Sequence, residues 1–73
     1  MEVFNADNVF EPILADIENG DIKTAHHLRL ALESLSEQFD IKALRILEMF
    51  REWLAKRNID LSTENGVVLI SRK

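Results

Sequence analysis

The sequence predicts a small α+β domain that is mainly helical, with three helices built on an antiparallel helical hairpin and followed by a C-terminal β-hairpin. Apolar residues recur at helical spacing through three successive segments, and strand-like alternation replaces that spacing from Ile59 onward. Asn65-Gly66 then separates two strand-like runs, which is typical of a β-hairpin because both turn residues need a positive φ. The 73 residues are expected to form a single domain.

The first helix is predicted over residues 9–19, after an extended arm of residues 1–8. Apolar residues recur at i, i+3, i+4 and i+7 from Phe10, as on one face of an amphipathic helix. Pro12 has no N–H to donate, so the prediction places it in the first turn. Gly20 is expected to end the helix because glycine readily adopts the left-handed conformation.

The second helix is predicted over residues 21–38 with Asp21 as its N-cap, and the third over residues 41–57 with Asp40 as its N-cap. Apolar residues of the second helix follow the spacing of a seam that packs along a partner helix. This seam consists of Ala25, Leu28, Leu32, Leu35 and Phe39. A tight turn joins the two helices, which favours an antiparallel helical hairpin.

The third helix has more apolar surface than a small monomer needs. Leu44 and Met49 widen its apolar face on opposite flanks, and Trp53 is interpreted either as the centre of the core or as an interface aromatic. The sequence therefore predicts an interface at Leu44, Met49 and Trp53, with Leu30 of the second helix as a secondary contact. Domains of this size without disulfides often need association for stability, so a homodimer or a protein partner is expected.

The β-hairpin is predicted over residues 59–71. A two-residue turn pairs Glu64 with Val67, Ser62 with Leu69 and Asp60 with Ser71. The last strand is apolar on both faces from Val67 to Ile70, and an exposed edge of that kind favours pairing with another chain. The hairpin edge is therefore a second candidate for self-association.

The charge distribution offers an alternative. Residues 1–40 carry nine acids and two bases, a balance of −7, whereas residues 41–73 carry four acids and seven bases, a balance of +3. Three helices and a hairpin resemble the element order of winged-helix domains, so a nucleic-acid-binding regulator is the second hypothesis. Its predicted contacts are Lys42, Arg45, Lys56, Arg57, Arg72 and Lys73. A third hypothesis is an acidic inhibitor that presents residues 1–40 to a basic partner.

The sequence predicts a protein that is not an enzyme and that needs no cofactor or metal. It has no cysteine, and the adjacent His26 and His27 point about 100° apart on a helix, so they cannot hold one metal ion together. No phosphate-binding glycine motif is present. No apolar run approaches the ~20 residues of a membrane span, and no basic signal-peptide region is visible, so a cytoplasmic protein without membrane contact is expected.

Overall fold

A computed structural model describes residues 4–72 and confirms the predicted fold class. The elements are α1 (Ala6–Asn19), α2 (Ala25–Phe39), α3 (Ala43–Ala55), β1 (Ile59–Glu64) and β2 (Val67–Arg72). The helices α2 and α3 form the predicted helical hairpin, and α1 packs against α3. The β-hairpin lies against all three helices, with β1 on α3 and β2 on α1 and α2.

The first helix begins earlier than the sequence predicts. Asn5 is its N-cap, and the side chain of Asn5 accepts a hydrogen bond from the N–H of Asn8 at 3.3 Å. The predicted extended arm is therefore wrong for residues 6–8, while residues 1–3 lie outside the described part of the chain. Pro12 lies inside the helix with an exposed side chain, because burial of the apolar face of α1 outweighs the backbone hydrogen bond that proline cannot make.

Asp21 is not the N-cap of the second helix. Thr24 has this role, and its hydroxyl accepts a hydrogen bond from the N–H of His27 at 3.1 Å. The backbone before Thr24 is drawn into pairing with β2 instead, through an antiparallel bridge between Thr24 and Val67. This tertiary contact delays the start of the helix, although Asp21 has the right chemistry for a cap.

Asp40 is not the N-cap of the third helix. It ends α2 in the left-handed conformation with φ 54°, which aspartate tolerates better than most residues. The Ser36 hydroxyl donates to the carbonyl of Ile41, and the N–H of Ile41 donates to the carbonyl of Ser36 at 3.0 Å. These bonds close the turn, so α3 begins after Lys42 and is shorter than the predicted 41–57. Lys42 makes no side-chain capping hydrogen bond.

The β-hairpin has the register that its turn residues predict. Asn65 and Gly66 have φ values of 54° and 78°, as both central residues of a type I′ turn require. The observed pairs include Glu64–Val67, Ser62–Leu69 and Asp60–Ser71. On the inner face, Ile59 and Val68 are buried against the helices, and Leu61 and Ile70 are partly buried beside them.

The core lies where α1, α3 and the hairpin meet. Its largest fully buried side chains are Phe10, Phe50, Ile46 and Leu54. The Phe10 ring lies 5.1 Å from Phe50 and 5.8 Å from Trp53, measured between ring centroids. Here α1 packs on α3, which also contacts α2 and β1.

Candidate functional site

An open groove of about 470 Å³ lies between α2, α3 and β1. Its apolar lining residues are Ala25, Leu28, Leu32, Ala43, Leu44, Leu47 and Leu61. The volume falls within the range of ligand pockets, and seven of the twelve lining residues are apolar. The groove is therefore suited to apolar side chains of another protein segment.

The groove follows from the different widths of two apolar faces. The seam of α2 is narrow, and its residues Leu28 and Leu32 are buried at the contact with α3. The apolar surface of α3 extends further, to Leu44, whose side chain is 76% exposed. Among the large apolar side chains of residues 4–72, Leu44 is the most exposed, and it lies at the rim of the groove.

Charged side chains of both signs line the groove. Arg29 and Glu33 of α2 form an ion pair of 3.6 Å on one side. Arg51 of α3 also lines a smaller adjoining groove between α3 and β1, and no acid of residues 4–72 lies within ion-pair distance of it. A mixed rim of this kind accepts a partner surface that also carries both signs.

The strand β1 contributes its edge to the groove. The lining residues Leu61, Ser62 and Thr63 are consecutive, whereas successive side chains of a strand point to opposite faces. The groove must therefore reach the edge of the strand, since no single face presents all three residues.

The register shows which backbone groups lie at that edge. The type I′ turn makes Glu64 and Val67 a hydrogen-bonded pair, and the pairs alternate from there along the hairpin. Leu61 and Thr63 occupy the other positions, so their N–H and C=O groups point away from β2. The apolar groove and a row of outward backbone groups are thus adjacent.

The structure brings only one of the predicted interface residues to the groove. Leu44 lies at its rim, while Leu30 is 48% exposed on α2 outside the groove lining. Met49 is half-buried against the core. Trp53 is 5% exposed and packs between the aromatic rings of the core, so it offers almost no surface to a partner.

Trp53 instead belongs to a polar cluster that joins α1 to α3. The carboxylate of Asp7 accepts hydrogen bonds from the indole N–H of Trp53 at 2.7 Å and from Arg57 at 2.6 Å. The guanidinium carbon of Arg57 lies 3.9 Å from the centre of the Trp53 ring. The hydrogen bond from Trp53, followed by the bond and charge of Arg57, holds the pKa of Asp7 below its ordinary value.

The bases proposed for nucleic-acid contact are dispersed. Three of them pair with acids of this chain, in the pairs Arg57–Asp7, Arg45–Glu48 and Arg72–Glu18. Lys42 and Lys56 are exposed at opposite ends of α3, about 20 Å apart along the helix axis. Lys73 lies outside the described residues. Neutralisation by nearby acids reduces the attraction that these bases exert on phosphate.

Two other features bear on the range of functions. His26 and His27 are exposed on α2, and no group of three potential metal-ligating side chains converges within residues 4–72. In the same part of the chain, every helix is too short or too polar to span a bilayer. The groove and the adjoining edge of β1 therefore remain the most distinctive surface that the structure describes.

Comparisons with models of protein families, with curated proteins and with solved structures find no match to this chain.

Proposed function

We propose that this protein is a non-enzymatic interaction module that self-associates through the groove between α2, α3 and β1. The observation that carries the proposal is the position of Leu44, 76% exposed at the rim of an apolar groove. In a two-fold interface each copy presents the same surface to the other, so that surface must fit its own copy. The exposed Leu44 side chain and the groove beside it lie on the same face and can meet this requirement.

The energetics support association at this face. Burying an exposed leucine stabilises a structure by about 1.5–3 kcal/mol, and a two-fold interface buries Leu44 twice. A single core in a domain of this size seldom supplies more than ~3–5 kcal/mol of stability. Association also costs about 4–15 kcal/mol in lost translational and rotational freedom, so Leu44 supplies part of the energy and the rest of the apolar lining must supply the remainder.

The charges of the groove also support a second copy as the occupant. A two-fold interface brings a surface against its own copy, so a rim of one sign would repel itself. The rim here holds Arg29, Glu33 and Arg51, which allows bases of one copy to lie near acids of the other. The apolar lining and the Arg29–Glu33 ion pair are also more typical of a docking surface than of a catalytic site.

Sedimentation velocity over a range of protein concentrations tests this proposal. We expect the wild-type protein to be a dimer at low micromolar concentration and the Leu44→Glu variant to be a monomer, because the variant places a charge in the buried interface. Leu30→Glu is the matched control, since Leu30 is an exposed leucine of the neighbouring helix outside the groove lining. It is expected to keep the dimer.

Circular dichroism of both variants separates loss of association from loss of folding. Leu44 and Leu30 are exposed in the monomer, so both variants are expected to keep the wild-type helical signal. A wild-type protein that stays monomeric at every concentration would contradict the proposal. Equal weakening of the dimer by the two variants would place the interface elsewhere.

A further inference from the structure

We infer that the outer edge of β1 pairs antiparallel with the same edge of a second copy, so that the two hairpins form one four-stranded sheet. This inference rests on the proposed self-association and specifies the backbone contact that accompanies it. Three features of the molecule support it: the occupation of the two sheet edges, the composition of β1, and the charge pattern along that strand.

The two edges of the hairpin differ in what covers them. Along β2, the N–H of Val68 donates to the carbonyl of Lys23, and the N–H of Ala25 donates to the carbonyl of Gly66, both at 2.8 Å. Along β1, the outward groups of Leu61 and Thr63 take no backbone partner from residues 4–72 outside the hairpin. The strand β2 is therefore covered near the turn, although the outward groups of Ile70 also take no backbone partner from residues 4–72. The edge of β1, on the side of the groove, has no such cover from the described residues.

The strand β1 also lacks several of the features that usually prevent edge pairing. Its sequence from Ile59 to Glu64 contains no proline and no lysine, and its register with β2 is continuous without a bulge. The side chains on its inner face, Ile59, Leu61 and Thr63, carry no charge. A second strand can thus approach without placing a charge against the helices.

Charge and strand overlap together select one antiparallel register between the two β1 strands, since axes near either end of β1 pair at most half of each strand. A two-fold axis at Asp60 places two Asp60 carboxylates opposite each other, and an axis at Ser62 places Asp60 opposite Glu64 of the second copy. Like charges directly opposite one another destabilise a strand pair. An axis at Leu61 avoids both repulsions, because Asp60 then lies opposite Ser62 of the second copy.

This register is also consistent with the interface proposed above. A two-fold axis perpendicular to the joined sheet keeps the helices of both copies on the same side of it. Because β1 lies on α3, the two α3 helices come next to each other beneath the junction. The groove of each copy, which reaches the edge of β1, then faces the second copy.

Thr63→Pro tests the backbone contact. Proline removes the outward N–H of Thr63 and is tolerated on edge strands, while no hydrogen bond within the hairpin depends on that N–H. We expect Thr63→Pro to weaken the dimer at least about tenfold, because one hydrogen bond is lost at each end of the strand pair, two in all. The control Thr63→Val keeps the N–H and the β-branched shape, and it is expected to dimerise as the wild type does.

Variants with a single introduced cysteine test the register. Because the sequence contains no cysteine, any disulfide must form at the introduced position. A hydrogen-bonded antiparallel pair separates Cα atoms by about 5.5 Å, within the range of a disulfide. Under mild oxidation, Leu61→Cys is expected to give a covalent dimer, whereas Ser62→Cys and the distant control Leu30→Cys remain at background. A covalent dimer from Ser62→Cys in place of Leu61→Cys would overturn the inference.

The outcomes distinguish this inference from the proposed function. If Leu44→Glu abolishes the dimer while Thr63→Pro matches Thr63→Val and Leu61→Cys stays at background, association through the groove stands and strand pairing is wrong. A wild-type protein that never dimerises removes both. If Thr63→Pro does not fold, the three cysteine variants decide alone.

Discussion

At the residue scale, the side chain of Asp7 joins two elements of the fold outside the apolar core. One of its carboxylate oxygens accepts hydrogen bonds from both Trp53 and Arg57, and the guanidinium of Arg57 lies over the Trp53 ring. The first turn of α1 is thereby attached to the last turn of α3. This contact also satisfies the indole N–H of a buried tryptophan, which would otherwise lose its hydrogen bond to water on folding.

The lowered pKa of Asp7 predicts a specific pH dependence of stability. Its pKa is lower in the folded protein than in the unfolded chain, so the ionised carboxylate favours folding. This contribution is complete above the ordinary pKa of about 3.9 and is lost as pH falls through the folded value. Urea unfolding followed by Trp53 fluorescence between neutral and strongly acidic pH measures it.

Asp7→Asn is the control for that experiment. The variant keeps an oxygen that can accept the indole hydrogen bond, but it has no charge to lose in acid. We expect it to be less stable than the wild type at neutral pH, with the difference shrinking below pH ~4. A difference that stays constant down to the most acidic pH would show that Asp7 contributes no pH-dependent stability.

The sequence does not predict this cluster. Asp7 and Trp53 lie 46 residues apart, and neither belongs to a motif that would indicate the contact. Trp53 itself is compatible with a core or an interface position, because tryptophan is typical of both. The exposure of Leu44 could be expected from the sequence, because Leu44 lies on the flank of the apolar face of α3 and not at its centre.

At the scale of elements, local chemistry predicts some boundaries and misses others. The hairpin register follows from the sequence because Asn65-Gly66 determines the turn, and the turn determines every pair after it. The first residue of each helix depends less on local sequence. The capping side chains Asp21 and Thr24 compete for the start of α2, and pairing of the preceding backbone with β2 decides between them.

This competition can be measured by removing each candidate cap. Thr24→Ala is expected to lower the free energy of unfolding by about 1 kcal/mol, because it leaves the N–H of His27 without its capping hydroxyl. Asp21→Ala is expected to change the free energy of unfolding by less than about 0.5 kcal/mol, as for other exposed residues outside a cap. Chemical denaturation of the two variants makes the comparison. A larger loss for Asp21→Ala than for Thr24→Ala would contradict the assignment of Thr24 as the N-cap.

At the scale of the whole molecule, a small core is combined with an uncovered groove. The sequence reveals that α3 has excess apolar surface, but it cannot reveal how much of that surface α1 and the hairpin cover. The structure answers this for residues 4–72: Trp53 and Phe50 are buried, and Leu44 is not. The groove is formed by the packing of α2, α3 and β1 against one another, so local sequence patterns could not predict its position.

Coupling between folding and association gives the last prediction. If the dimer is the stable form, unfolding releases two chains from each dimer, and the thermal midpoint must rise with protein concentration. Each tenfold increase above the dissociation constant adds about 0.7 kcal/mol per chain, which corresponds to roughly 3–6 °C in a domain of this size. Differential scanning calorimetry over two decades of concentration resolves such a shift. The midpoint of Leu44→Glu should be lower and independent of concentration, while that of Leu30→Glu should rise in parallel with the wild type; a wild-type midpoint that does not move would mean that this fold is maintained by a single chain.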